Sequence, residues 1–359
     1  MDKKHELLTT NISLDIWDFA DLILKNRFLK ALDEGVSRYS VYRDLRFAAR
    51  ADLETLFDDL ALNLGWRVQR LYSNQMILEE NGFFVSASGG YKKDYCSCSF
   101  HIWGENLESV EQVRQKILER VGDLQILEPM FSIDWHFLTS RKELQNVAIE
   151  ELADDVLHDQ AYPDFKEGLA KFIDSYLNAN ETVLVLQGPP GTGKTRLIRA
   201  ILGAMSKRKN GQASALYTGD KQALENDEIF VKFITGWEDA FIIEDADHVL
   251  KPRAEGNENL HRFLAIADGV IRAQGRKIIF STNLPNVKDL DDALIRPGRC
   301  FARVSVRELS LAEAESLIAT LCGNETSTLA QATQALEKMG KKHYALADVY
   351  KVFFSISGK

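Results

Sequence analysis

Hydrophobic and polar positions along the chain change period repeatedly, and the changes predict its elements. From residue 14 to 32, Leu14, Trp17, Phe19, Leu22, Ile23, Phe28 and Leu29 recur among charged side chains, a spacing that predicts an amphipathic helix. A second helix is predicted over residues 48–64, ended by Gly65. The period then shortens to two. Residues 66–72, 76–78, 83–88 and 95–103 alternate, with turns expected at Asn81-Gly82 and Gly89-Gly90. A helix over 107–121 and a strand over 130–138 follow. Residues 1–146 are therefore expected to form an α+β domain with a mostly antiparallel sheet, without a catalytic set; His101 and His136 stand alone on strand patterns.

Residues 141–156 are charged and read as a helical linker. Pro163 is placed to open the next helix, over 165–177. Beyond it, short apolar runs alternate with helical spacing. Strands are expected at 182–186, 213–218, 240–243 and 276–283, and a helix at 196–202. That alternation predicts an α/β core with a parallel sheet over 147–306. Three helical patterns, at 309–321, 328–339 and 345–354, punctuated by Gly323 and Gly340, predict a small helical lid over 307–359.

Composition adds little to this division but narrows the class. Of 359 residues, 45% are hydrophobic and 27% charged, and no apolar run approaches 18 residues. The first residues, Met1 to Glu6, carry no apolar signal core, so a cytoplasmic location and no membrane association are expected. The net charge of −9 disfavours a nucleic-acid partner. Four cysteines are sparse; Cys96 and Cys98 fall on one face of a strand and read as buried thiols.

Candidate chemistry concentrates between residues 188 and 299. Gly188-Pro189-Pro190-Gly191-Thr192-Gly193-Lys194-Thr195 lies between an expected strand and an expected helix, the context a phosphate-binding loop needs. Glycines let backbone N–H groups turn inward, and the helix adds its positive end. Lys194 is placed to reach the β- and γ-phosphates, and Thr195 to put its hydroxyl on Mg2+. Some 50 residues on, the apolar run 240–243 ends in Glu244-Asp245-Ala246-Asp247. Acids at the carboxyl end of a parallel strand beside such a loop sit where Mg2+ and an attacking water belong. Asn283 ends the next strand and is placed to hold that water or the γ-phosphate. Arg296 and Arg299 flank a Pro-Gly turn. Tyr162, on the segment entering the core, is placed either to pack on adenine or to fill the core.

This set resembles the AAA+ superfamily, within the AAA proper group, over roughly residues 155–355. Residues 188–195 are similar to Walker A, 241–247 to Walker B, 281–283 to the sensor 1 strand, and 290–299 to the second region of homology. Residues 260–270 resemble the helix before sensor 1, and Ala347-Asp348-Val349 resembles the group's Gly-Ala-Asp-Leu element. The Glu-Asp order and the Leu-Ile-Arg-Pro-Gly-Arg form lean toward the Bcs1-like subgroup, without its membrane span.

The resemblance implies ATP and Mg2+ as cofactors. Gly188, Pro189, Gly191, Thr192, Gly193, Lys194 and Thr195 would hold nucleotide, and Thr195 and Glu244 would serve the metal. Glu244, Asp245 and Asn283 would be catalytic from one subunit, and Arg299 from its neighbour as an arginine finger. The position of a second finger is Ala302, with Arg303 one place off register. Phe230 is the nearest candidate for a pore-loop aromatic, but the glycine of that signature is missing. The expected protein is an ATPase acting as a ring, hexameric in the resembling group, that remodels or assembles a protein partner presented through its N-terminal domain. A slow ATP-controlled switch and a nucleic-acid-directed motor are the alternatives.

Overall fold

Two sheets organise the chain, one within Met1–Leu127 and the other within Glu128–Lys359. The computed structural model describes residues 19–153, 156–211, 213–252, 260–267, 275–323 and 325–357. Residues 14–18 of the first expected helix, 154–155 of the expected linker and 268–270 of the stretch before sensor 1 lie outside the described residues.

The first unit runs α1 (Phe19–Asp33), β1 (Val41–Ala49), α2 (Leu53–Asn63), β2 (Arg67–Tyr72), β3 (Gln75–Glu80), β4 (Phe83–Tyr91), β5 (Cys96–Gly104), α3 (Leu107–Val121) and β6 (Gln125–Ile126). Its six strands are antiparallel throughout, in the order β2-β3-β4-β5-β1-β6. Leu53, Phe57 and Leu60 of α2 and Val110, Val113 and Ile117 of α3 cover one face, against Phe47, Val85, Phe100 and Ile102. Ala20 of α1 packs on the other, against Ile77 and Phe84. Each fully buried side chain of this size stabilises the fold by about 1.5–3 kcal/mol.

Two expectations fail here for identifiable reasons. The helix expected from residue 48 begins only at Leu53, where Asp52 caps it by accepting from the Thr55 N–H. Phe47, Ala48 and Ala49 belong to β1, which lies between β5 and β6 with both alanines fully buried; sheet pairing overrides alanine's helix propensity. The turn expected at Gly89-Gly90 lies inside β4 instead. Gly89 is paired with Cys98, and a Cβ there would overlap Leu53.

The second unit runs β7 (Met130–Leu138), β8 (Leu144–Leu152), α4 (Leu169–Asn178), β9 (Val183–Gln187), α5 (Lys194–Arg208), β10 (Ala213–Thr218), α6 (Lys221–Glu225), α7 (Asp227–Thr235), β11 (Ala240–Ile243), α8 (Asp247–Leu250), α9 (Leu260–Ala267), β12 (Lys277–Thr282), β13 (Cys300–Ser305), α10 (Leu311–Cys322), α11 (Thr326–Lys338) and α12 (Leu346–Ser357). The sheet order is β13-β9-β12-β11-β10-β7-β8. Every neighbouring pair is parallel except β7 with β8.

The boundary expected at 146/147 therefore moves to 127/128. The strand over 130–138 forms, but it pairs with β10 of the second sheet, and the expected helical linker contains β8. Strand β8 is an edge strand, which tolerates the charges that suggested a helix. The helix expected from residue 165 starts at Leu169, beyond the reach of Pro163.

The buried strands β9, β11 and β12 split their side chains between two cores. Leu184, Leu186, Ile242 and Ile279 pack with α4, α5 and the terminal helices, through Leu197, Ile201, Leu317 and Val349. Val183, Val185, Phe241, Ile243 and Phe280 pack with α7, α8 and α9 through Phe233, Val249 and Phe263. Phe230 is part of this second core, only 5% exposed. Helices α10–α12 join the first core, and Leu309 bridges to Tyr344. The fold is α/β with a mostly parallel sheet flanked by helices, preceded by an α+β unit.

Candidate active site

Strand β9 delivers the glycine-rich loop and α5 leaves it, so the loop stands at the carboxyl end of the parallel strands. Gly193 takes φ +97°, and a Cβ there would meet the Leu346 side chain and the Tyr162 hydroxyl. At Gly188 a Cβ would collide with the Val306 carbonyl oxygen. Only glycine fits either position. Thr192 is buried and its hydroxyl donates to the Pro189 carbonyl at 2.9 Å, which stiffens the loop.

The Lys194 ammonium is turned into the loop. It donates to the carbonyls of Gly188 at 2.6 Å and Pro189 at 2.9 Å, and to Oδ1 of Asn283 at 2.9 Å. Burial pushes its pKa down, while Asp245, Asp247 and Glu244 push it back up. Asn283, just past β12, in turn donates through Nδ2 to Oδ1 of Asp245 at 2.9 Å. One amide thus joins the loop lysine to the second acid.

The two acids follow β11 with different surroundings. Glu244 accepts from the Thr195 hydroxyl at 2.5 Å on one oxygen and from the Tyr217 hydroxyl at 2.7 Å on the other. Asp245 is exposed and takes φ +49°, the left-handed region that a non-glycine residue rarely occupies. The Asp245 backbone N–H donates to the Ser281 hydroxyl at 3.2 Å. Asp247 accepts from the Thr282 hydroxyl and the Asn283 N–H, tying the acids to the end of β12.

These groups open on a cavity of about 550 Å3. Gly191, Gly193, Lys194, Thr195, Glu244, Asp245 and Asn283 line one part of it. Helix α12 closes the other with Leu346, Ala347, Tyr350 and Phe354. The Ala347 N–H donates to the Gly191 carbonyl at 3.0 Å, and the Arg196 guanidinium stands 4.1 Å over the Tyr350 ring. The donor set fits a nucleotide with a hard cation: a cationic amine, loop glycines at positive φ, and a hydroxyl beside a carboxylate.

Tyr162 and Arg299 do not line this cavity. Tyr162 is 3% exposed and stands behind the loop, its hydroxyl donating to the Gly193 carbonyl at 2.9 Å and its ring against Phe165. It supports the loop, and the aromatic groups that line the cavity are Tyr350 and Phe354. Arg299 precedes β13, beside Val183 at the far end of β9, and one of its amines donates to the Ala293 carbonyl at 2.7 Å. Five strand residues, roughly 16 Å, separate that level from the loop. Arg303 donates to Gln187 at 2.9 Å and ties β13 to β9. Tyr217, Tyr350 and Phe354 escaped the sequence pattern because each reads as an ordinary strand or helix position; nothing local marks them.

Comparison with known proteins agrees with this geometry. Residues 184–308 match the family described as "ATPase family associated with various cellular activities (AAA)". The chain is 28% identical over 271 residues to "ATP-dependent zinc metalloprotease YME1 homolog" of Caenorhabditis elegans, covering 68% of this chain and 35% of that protein. It is 25% identical over 219 residues to "Peroxisomal ATPase PEX6" of Homo sapiens, covering 57% and 20%. It is 29% identical over 247 residues to "Spastin" of Drosophila virilis, covering 66% and 30%. The chain thus spans about a fifth to a third of the length of these relatives. Among the described residues, no helix is long and apolar enough to cross a membrane. Loop, acids and β12 asparagine meet in one cleft inside residues 184–308, the segment that is similar to this AAA ATPase family.

Proposed function

We propose that the cleft binds ATP with Mg2+ and hydrolyses it, and that the protein works as a ring which remodels or assembles a protein partner. The observation that carries this is the convergence of Lys194, Thr195, Glu244, Asp245 and Asn283 on one cavity behind a left-handed glycine loop. Gly188, Pro189, Gly191, Thr192 and Gly193 shape the phosphate cradle, and Lys194 supplies its cation. Thr195 and Glu244 would hold the metal, which when bound neutralises phosphate charge. Asp245 would orient and deprotonate water, its carboxylate held by the Asn283 amide. Arg299 lies too far along β9 to act on its own chain's loop, so its action on a phosphate would be on a neighbouring copy. The unit Met1–Leu127 would present the partner, and α10–α12 would transmit the nucleotide state through the Ala347–Gly191 contact.

A slow, ATP-controlled switch is the second reading, favoured by Asp245 itself. Its side chain is one methylene shorter than Glu, and its backbone is held at positive φ. Both restrict how a water can be approached.

Turnover and light scattering on wild type, Lys194→Ala and Arg299→Ala test the proposal. Lys194→Ala should lose nucleotide binding. Arg299→Ala should bind nucleotide yet fail to speed up as protein concentration rises. Full turnover by Arg299→Ala would overturn the shared-site ring. Stimulation by a folded protein supports remodelling, slow unstimulated turnover supports the switch, and salt-sensitive stimulation by DNA or RNA would overturn both in favour of a nucleic-acid motor.

A further inference from the structure

We propose that Tyr217 is a positioning residue for Glu244, buttressed by Trp135 of the β7–β8 hairpin, and that it sets how tightly the site takes Mg2+. This rests on the ATP reading above. Glu244 has a flexible side chain, and leaving it free until the metal arrives would cost rotamer entropy at that moment. The structure removes that freedom in advance. One carboxylate oxygen accepts from Tyr217 at 2.7 Å and the other from Thr195 at 2.5 Å, so the carboxylate is held beside the hydroxyl that would share the metal. Partners that orient a ligand in this way commonly change metal affinity 10–100-fold when removed.

The tyrosine is itself fixed by strands that flank it. It pairs with Ile242 of β11 on one side and with Trp135 of β7 on the other. The Trp135 ring meets the Tyr217 ring edge-on, with centroids 6.2 Å apart at 83°. The backbone of Glu244 is tied to the same strand, its N–H donating to the Thr218 carbonyl at 3.1 Å. Both partners therefore project from a fixed pair of backbones, and the phenol hydroxyl decides the orientation of the carboxylate. The hairpin β7–β8 thus reaches the metal side of the site without lining its phosphate cradle: a separate cavity of about 250 Å3, lined by Ile133, Trp135, Ile149 and Tyr217, touches Thr195 and Glu244 from the hairpin side.

The test is the binding of a fluorescent ATP analogue to the full chain, titrated with Mg2+ and repeated in EDTA, alongside melting temperature. Tyr217→Phe keeps the ring and its contact with Trp135. It should raise the Mg2+ concentration at the binding midpoint about tenfold, with affinity in EDTA and melting temperature unchanged. Trp135→Ala should shift the midpoint in the same direction. An unshifted midpoint in Tyr217→Phe, with wild type binding normally, would overturn the proposal. An equal loss in EDTA would overturn it as well, by showing a general effect on the site. Failure of wild type to bind the analogue with or without Mg2+ would instead overturn the ATP reading beneath it.

Discussion

The hydroxyl of Thr195 lies 2.5 Å from a carboxylate oxygen of Glu244, although 49 residues separate them. The contact brings the last residue of the glycine loop onto the first acid after β11. Thr195→Val keeps the volume and removes the hydroxyl. Nucleotide binding in EDTA should survive, while Mg2+ should no longer tighten it, a loss of at least about tenfold in metal affinity. Fluorescent-nucleotide titration in the two conditions reads both numbers.

Asp245 and Asn283 form a second pair, at 2.9 Å. Asp245→Asn should bind ATP about as well as wild type and lose roughly 10²–10⁴-fold in turnover, the usual worth of a general base. Single-turnover phosphate release, measured with binding saturated, separates this from weak affinity. Turnover within threefold of wild type would remove Asp245 from its role.

Gly193 makes the loop depend on backbone shape. Gly193→Ala would place an L-residue at φ +97° and push its Cβ into Tyr162 and Leu346. The backbone alone costs on the order of 1–2 kcal/mol. The melting temperature should fall, and nucleotide should no longer raise it. Differential scanning fluorimetry with and without ATP checks both.

Lys277 gives a pH-dependent prediction away from the cleft. It is 2% exposed, and burial lowers its pKa to about 8 from 10.5. Its ammonium donates to the carbonyls of Ala179 and Glu181, at the end of α4, and stands 4.8 Å from the centre of the Tyr176 ring. Between pH 8 and 10.5 the unfolded chain holds the proton and the folded chain has lost it. This group's contribution to stability therefore rises with pH across that window, by on the order of 3 kcal/mol, and is level at its lowest value below pH 8, where both states hold the proton. Denaturant unfolding of wild type and Lys277→Met across that range should show the wild type gaining on the variant as pH rises. A constant difference would contradict it.

Much of the second unit is written in local pattern. The run Val183 to Gln187, the glycine loop and the acids after Ile243 each declare themselves within a few residues, because a phosphate cradle needs consecutive backbone N–H groups and a strand end. Phe230 also behaves as its missing glycine suggested, and packs in the core. The residues that escaped act across strands. Tyr217 is an unremarkable strand residue until β11 places Glu244 beside it. Tyr350 and Phe354 are apolar positions of a helix until α12 folds over the loop. Tyr162 follows the second of its two readings, filling the core behind Gly193.

The sequence by itself singled out the loop, the acids and the asparagine that line the cleft, since they are specified by residue type and by their position at strand ends. It also determined that two sheets of different kind occur, because alternation and continuous apolar runs bury one face or two. Only the tertiary structure decided which sheet takes the strand Met130–Leu138, since pairing partners are chosen by non-local hydrogen bonds that leave no mark on a strand's own pattern. The same pairing puts Trp135 against Tyr217, and so connects a strand residue about 50 positions before the loop to the carboxylate that faces it.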